Sequence, residues 1–406
     1  MDPAIPPPST RRFPTPGILL AAAAVTLACV ASQWNIDGNR RIDYRIYVRA
    51  VSSIDHSGLY AYGNGILRFT YPPVAAVVVW PFTWIDEAVG SRIWLVLSVA
   101  AFVAAYALAI RHGGGRRPIP VELALLGGAA AVWLAPALST LRLGQINAFV
   151  ALLLCADAVA LHRGSRTAGI GTGLAAAIKV TPLAVVPLLW FAGRGPTRAA
   201  AVRAAATGAA ITGIGALVAP GATWQFLQRL GGRAVDRAPV ASVDLRVLLR
   251  SAIGAPTVAD VIWLLATVAL VAASLRTARR LGRRAGTPDG VGLVTVGMCL
   301  STVVSPFSSV HHLTFASIAV ALWAMRATST WHRVVAVGGL LALLDPTAGE
   351  AALGRWAMVV FCIVTVVALP NAAADVDAVE VDPTPAADFA EDDPIPQDVG
   401  LLRGGH

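Results

Sequence analysis

The chain has 406 residues, 56% of them hydrophobic and only 14% charged, with a formal net charge of +9. A soluble domain carries about 25% charged residues, so this composition excludes an ordinary soluble enzyme. The basic excess does not point to nucleic acid either, because the arginines stand in short clusters between apolar runs, a pattern that orients helices in a membrane.

In chain order, the apolar runs predict about twelve spans, at 17–34, 91–110, 121–139, 145–162, 168–178, 182–193, 200–219, 258–275, 290–305, 312–326, 332–345 and 355–370. Most approach the ~20 residues that cross a ~30 Å hydrocarbon layer. Residues 1–16 form a leading segment whose Arg11 and Arg12 put it in the cytoplasm. No cleavage site follows, so the first apolar run is expected to be retained. Inner loops are marked by Arg111/Arg116/Arg117, Arg163/Arg166, Arg194/Arg198/Arg203, Arg276/Arg279/Arg280/Arg283/Arg284 and Arg326/Arg333. All six clusters agree only if the chain crosses once between residues 35 and 110. The apolar piece Tyr71 to Ile85 opens on Tyr71-Pro72-Pro73 and contains Pro81. It is therefore expected to lie in the interface or re-enter rather than span.

Residues 35–90 and 220–257 then form two long outer segments. The spans 168–178 and 182–193 are short and meet at Lys179-Val180-Thr181-Pro182. A hairpin this short ends below the outer surface and lowers a pocket floor into the membrane. Asp157 is the one mid-span acid, expected as a buried polar contact. Cys29, Cys155, Cys299 and Cys362 fall inside apolar runs without metal-ligand spacing and read as small core residues; no metal or cofactor is expected. Residues 371–406 hold nine acidic residues and are expected to be a disordered cytoplasmic tail. Residues 17–370 are the membrane body.

Four segments could carry chemistry. In Arg40-Arg41-Ile42-Asp43-Tyr44-Arg45-Ile46-Tyr47, just after the first span, Ile42, Ile46 and Val48/Arg49 suggest an interfacial helix with an apolar underside. Asp43 at its start is either a cap or solvated charge, or an acid held at the membrane surface. Gly144-Gln145-Ile146-Asn147 opens a helix, where Gln145 and Asn147 can cap it or bind hydroxyl-rich ligands. Lys179 is the only lysine among 32 basic residues. It is either a snorkelling side chain or a cation awaiting an anion, and a lipid-linked phosphate would suit it. In Ser305-Pro306-Phe307-Ser308-Ser309-Val310-His311-His312, adjacent histidines point about 100° apart on a helix. They are poor joint ligands for one metal, but one of them could bond a sugar or phosphate. All four segments fall at outer helix ends.

The Gly144-Gln145-Ile146-Asn147, Lys179-Val180-Thr181-Pro182 and Ser305-Pro306…His311-His312 segments, in that order, resemble those of the polyprenol-phosphate-mannose-dependent α-1,2-mannosyltransferases of the actinobacterial cell envelope. That family belongs to the GT-C class, and the resemblance spans residues 17–370. It implies an all-α polytopic fold in the plasma membrane, with an active site on the outer face. It implies mannose transfer from polyprenyl-phosphate-mannose to a mannosylated lipid such as a phosphatidylinositol mannoside. Asp43 matches the class's catalytic base. Lys179 and Arg237 would meet the donor phosphate, and Gln145, Asn147, His311, His312 and Tyr71 would hold substrate. The third segment departs from the family in having Ser308-Ser309-Val310 where an aromatic residue often precedes the histidines. Related arabinofuranosyltransferases share the same segments and leave decaprenyl-phosphate-arabinose as an alternative donor. A lipid-linked sugar transporter is the competing class, but transporters place ionisable groups near the midplane, and here they sit at helix ends.

Overall fold

Apolar runs bounded by proline, aspartate or glycine fold as helices along the whole chain. A computed structural model describes residues 15–34, 41–54, 58–61, 68–115, 117–193, 195–232, 242–282, 287–345 and 351–372, all within one unit. Among them the one strand-like pairing is an antiparallel bridge between Ser242 and Ser309. The leading segment and the acidic tail lie outside the described residues.

The first predicted span is α1 (Thr15–Trp34), followed by the amphipathic α2 (Ile42–Ser52). α3 (Ala75–Val79) runs into a 3-10 turn, Trp80–Trp84. These ten apolar residues rise about 15–20 Å, too little to cross a bilayer, and Val77, Trp80 and Trp84 are exposed. α4 (Glu87–Gly113) starts at an Asp86 cap whose carboxylate accepts from Ala88 and Val89 N–H.

The segment predicted as one span at 121–139 is two helices, α5 (Val121–Ala131) and α6 (Ala135–Leu143), bent by 67°. Pro136 is the cause: it has no N–H for the Val132 carbonyl, and its ring excludes that carbonyl from a continuous helix.

α7 (Asn147–His162), α8 (Ile170–Ile178), a 3-10 turn at Thr181–Ala184, α9 (Val185–Ala192) and α10 (Pro196–Val218) follow. Then come α11 (Pro220–Gly232), α12 (Leu245–Ile253), α13 (Pro256–Gly282) and α14 (Gly290–Val304). A 3-10 turn at Val310–His312, α15 (Thr314–Met325), α16 (Thr330–Leu344) and α17 (Ala352–Ala368) complete the chain.

α14 is buried along nearly its whole length and packs against α7, α13 and α17, as an all-round apolar helix must. α1, α4, α10 and α13 are long and apolar enough to cross a membrane. Leu20, Leu27, Leu217, Val218, Leu265 and Val268 on three of them are exposed. So much bare apolar surface is stable only against lipid. The protein is an all-α membrane protein.

The bundle has two chemically different ends. At one, buried Arg326 donates to the Gly113 and Pro370 carbonyls at 2.8 and 2.9 Å and pairs with Asp289 at 2.7 Å. It thereby ties the ends of α4 and α17 to the start of α14. Arg280 donates to the Leu369 carbonyl, and Arg203 to that of Ala168. Cations suit exposed helix carbonyls. Asp157, buried in α7, accepts from Gly169 N–H, Gly171 N–H and Thr172 Oγ1, capping α8 from a neighbouring helix.

Removing one partner of a buried ion pair costs about 3–5 kcal/mol. Arg326→Ala should therefore lower unfolding stability in detergent by about 3 kcal/mol or more, measured by chemical denaturation. Exposed Arg333→Ala should change it by less than about 0.5 kcal/mol.

Candidate active site

The other end gathers the sequence motifs. Arg41 is buried, and its guanidinium donates to Ser91 Oγ on α4 at 3.0 Å and to the Gln33 carbonyl on α1. This brings α2 down onto both helices, with Tyr44, Ile46, Tyr47 and Val51 buried beneath it. Arg45 and Arg49 pair with Glu87 on its outer side, both at 2.8 Å. Asp43 and Tyr47, four residues apart, share a face.

α6 ends at Gly144, with φ +71°. A methyl group there would stand 2.7 Å from Tyr44 Cβ, so glycine serves both the left-handed turn and the close approach of α2. The next residue, Gln145, consequently reaches Asp43. Its Nε2 donates to Asp43 Oδ2 at 2.6 Å, and its Oε1 accepts from the Tyr47 hydroxyl at 2.9 Å and the Tyr71 hydroxyl at 2.5 Å. Two hydroxyl donors on Oε1 leave the NH₂ end facing the carboxylate. Asp43 Oδ1 accepts no hydrogen bond among the described residues. Burial pushes the Asp43 carboxyl up to about 6, against the opposing pull of the Gln145 bond and then the Lys179 charge.

Lys179 sits in extended backbone between α8 and the Thr181–Ala184 turn. α8 rises only about 13 Å, so the ammonium is buried well inside the bundle. Its Nζ donates to Asn147 Oδ1 at 2.5 Å and lies 5.5 Å from the centre of the Tyr71 ring. Asn147 Nδ2 donates in turn to the His311 carbonyl at 2.7 Å. The two histidine rings are 4.2 Å apart. His312 Nδ1 accepts from Ser309 N–H at 2.9 Å, so the neutral ring carries its proton on Nε2 as a donor.

A cavity of about 420 Å³ opens beside this network. Its polar wall holds Tyr71, Asn147, Lys179, Thr302, Ser308 and His312, and its apolar wall Val150, Phe226, Leu230, Met298, Phe307 and Phe315. Asp43, Gln145 and His311 are joined to that wall through hydrogen bonds that run by way of Tyr71 and Asn147. Arg237 lies outside the described residues.

Sequence reading had not assigned Tyr47 a role, although its spacing from Asp43 is a readable signal. Asp244 reads in sequence only as one of the charges of the outer segment 220–257, with no role assigned. This buried acid caps α12 through Val247 N–H at 2.8 Å and accepts from Ser308 N–H at 3.3 Å, while Val243 N–H donates to the Ser308 carbonyl. That pairing fixes one wall of the cavity across more than sixty residues of chain.

A half-buried carboxylate with one oxygen unbonded among the described residues, and a buried ammonium close by, can deprotonate a hydroxyl and receive an anion. A model of glycosyltransferase family 87 matches residues 69–306. That segment contains Tyr71, Gln145, Asn147 and Lys179, and stops short of Asp43 and of the two histidines. A polyprenol-phosphate-mannose-dependent alpha-(1-2)-phosphatidylinositol mannoside mannosyltransferase of Mycobacterium tuberculosis is 30% identical over 322 residues, 73% of each chain. A polyprenol-phosphate-mannose-dependent alpha-(1-2)-phosphatidylinositol pentamannoside mannosyltransferase of Mycolicibacterium smegmatis is 28% identical over 367 residues, 82% of this chain and 85% of that protein.

The geometry around Asp43 can be read without a substrate. Isotope-edited infrared spectra of protein carrying labelled aspartate should show one carboxyl, absent in Asp43→Asn, that titrates near pH 6. Gln145→Met removes a bond to the charged form and should move that titration upward; an unchanged midpoint would mean that the amide does not support the carboxylate.

Proposed function

Given that the chain belongs to glycosyltransferase family 87, we propose that it moves mannose from polyprenyl-phosphate-mannose to a hydroxyl of a mannosylated lipid such as a phosphatidylinositol mannoside. The observation that carries this reading is the Asp43 carboxylate, gripped through Oδ2 by Gln145 and open at Oδ1, with the Lys179 ammonium nearby. The names of the relatives, each a mannosyltransferase using a polyprenol-phosphate-mannose donor, supply the sugar and the acceptor class.

The acceptor hydroxyl approaches Oδ1 and attacks the anomeric carbon. The new C–O bond forms as the bond from that carbon to the phosphate oxygen breaks, and polyprenyl phosphate leaves with the electron pair. Asp43 takes the hydroxyl proton as general base and later releases it to water. One displacement inverts the anomeric centre. Lys179 stabilises the departing phosphate, with Arg237 as a further candidate. Asn147 aims the ammonium, and His312 Nε2 donates to the sugar or phosphate. A phosphate leaves readily at neutral pH, so the step needs no protonating acid.

In this reading about twelve spans carry the site on the outer face of the plasma membrane, where the donor is lipid-bound because nucleotide sugars are absent. Both termini are cytoplasmic, the tail 371–406 included. Ser53→Cys should then react with an impermeant maleimide in intact cells, and Thr384→Cys should not; the opposite pattern refutes the orientation.

A base that must be ionised loses activity as pH falls through its pKa. With that pKa raised to about 6, kcat/KM should drop about tenfold per pH unit below it. Asp43→Asn should lose at least about 10²–10⁴-fold in rate while still binding donor. Lys179→Ala should raise donor KM and lower kcat with little change in acceptor KM, and Lys179→Arg should recover part of the loss. A defect confined to acceptor KM would move Lys179 away from the leaving phosphate.

A further inference from the structure

The reaction proposed above brings together two lipids, each carrying a phosphate, while Lys179 offers one cation to the donor. We propose a second anion site at the cavity rim, formed by Arg229 and Arg68 beside Tyr60, that holds the phosphodiester of the lipid acceptor; it rests on the acceptor being a phosphatidylinositol-type mannoside.

Arg229 falls one turn after Phe226 and next to Leu230 on α11, and both of those residues line the cavity. Its guanidinium carbon stands 5.2 Å from the centre of the Tyr60 ring. Tyr60 is buried, stacks on Phe226 and donates its hydroxyl to the Tyr71 carbonyl at 2.7 Å. The arginine is thus seated on a rigid aromatic that is bonded to the residue holding Gln145. Arg68 comes from the other side: it is exposed, Phe69 is buried, and Thr70 lines the cavity. Arg68 thus stands exposed two residues before a residue of the cavity wall.

Among the described residues neither guanidinium is in an ion pair, whereas Arg45 and Arg49 share Glu87 and Arg246 and Arg250 share Asp260. The two are close enough to act on each other: partial burial, then the charge of Arg68, weakens the hold of Arg229 on its proton. Two like charges at the mouth of an apolar-walled cavity repel, and an anion between them relieves that repulsion. A guanidinium fork matches phosphate oxygens in pairs. A phosphodiester held there would leave its acyl chains beside Leu230, an exposed apolar residue of α11 that also lines the cavity.

The test compares two acceptors on the full-length protein: a short-chain phosphatidylinositol mannoside, which carries the phosphodiester, and neutral octyl α-mannoside, which does not. In Arg68→Ala/Arg229→Ala the KM for the phosphatidylinositol mannoside should rise about tenfold or more. The KM values for octyl α-mannoside and for the donor should not change. Arg229→Lys should fall between, since it keeps the charge and loses the fork. An equal rise for both acceptors, or a rise in donor KM, overturns the site. Turnover of octyl α-mannoside by the unaltered protein checks the parent reading separately. If neither acceptor is mannosylated that reading fails, and equilibrium binding of the phosphatidylinositol mannoside still decides the site: equal affinity for the unaltered protein and the double variant overturns it.

Discussion

The hydrogen bond from Gln145 to Asp43 is the contact on which this end of the molecule depends. It joins α2 to the turn between α6 and α7, two segments about a hundred residues apart. It forms because Gly144 allows a left-handed turn beneath Tyr44, and it is directional because two tyrosine hydroxyls occupy the far side of the amide. A carboxylate in a half-buried site would otherwise meet the cost of desolvation by taking up a proton. Here one amide donor and one nearby ammonium partly offset that cost, leaving a group that changes charge close to neutral pH, where a general base is most effective.

The rest of the bundle separates two tasks. One end is closed by arginines on helix carbonyls, with Arg326 binding three helix ends around Asp289. The other end is left open by short elements: α8 stops after nine residues, α6 is turned by Pro136, and the Val310–His312 turn lasts a single turn. Short helices at the open end make a recess without breaking the long lipid-facing helices around it. Lys179 reaches the recess floor only because its helix ends early, and Asn147 and the Tyr71 ring then give its charge two partners.

Much of this was legible in the sequence. Apolar runs located the long helices α1, α4, α10 and α13, since in lipid the backbone must satisfy itself within each segment, but α11 and α12 lie in a segment that reads only as an outer loop, and α5 and α6 read as one span. The Tyr71 to Ile85 piece declared itself by its prolines and short length. The bend at Pro136 is also written in the sequence, but a uniformly apolar run on both sides masks it. The site was legible as a set of polar residues at helix ends, and not as a network. Nothing local pairs Gln145 with Tyr47, Asp157 with the start of α8, or Asp244 with Ser308, because each contact is made by helices that meet only after packing. Nor could spacing show that Lys179 and His312 line the cavity while Asp43 is linked to it through Gln145 and Tyr71.

The proposed chemistry is a single displacement at an anomeric carbon with Asp43 as the base. The most direct measurement is nuclear magnetic resonance of the product made by purified protein from polyprenyl-phosphate-mannose and a phosphatidylinositol mannoside. The product should carry one added mannose whose anomeric configuration is opposite to that in the donor, and Asp43→Asn should form it at about a hundredth of the rate or less. Retained configuration, or transfer of arabinose from decaprenyl-phosphate-arabinose in place of mannose, would contradict this reading.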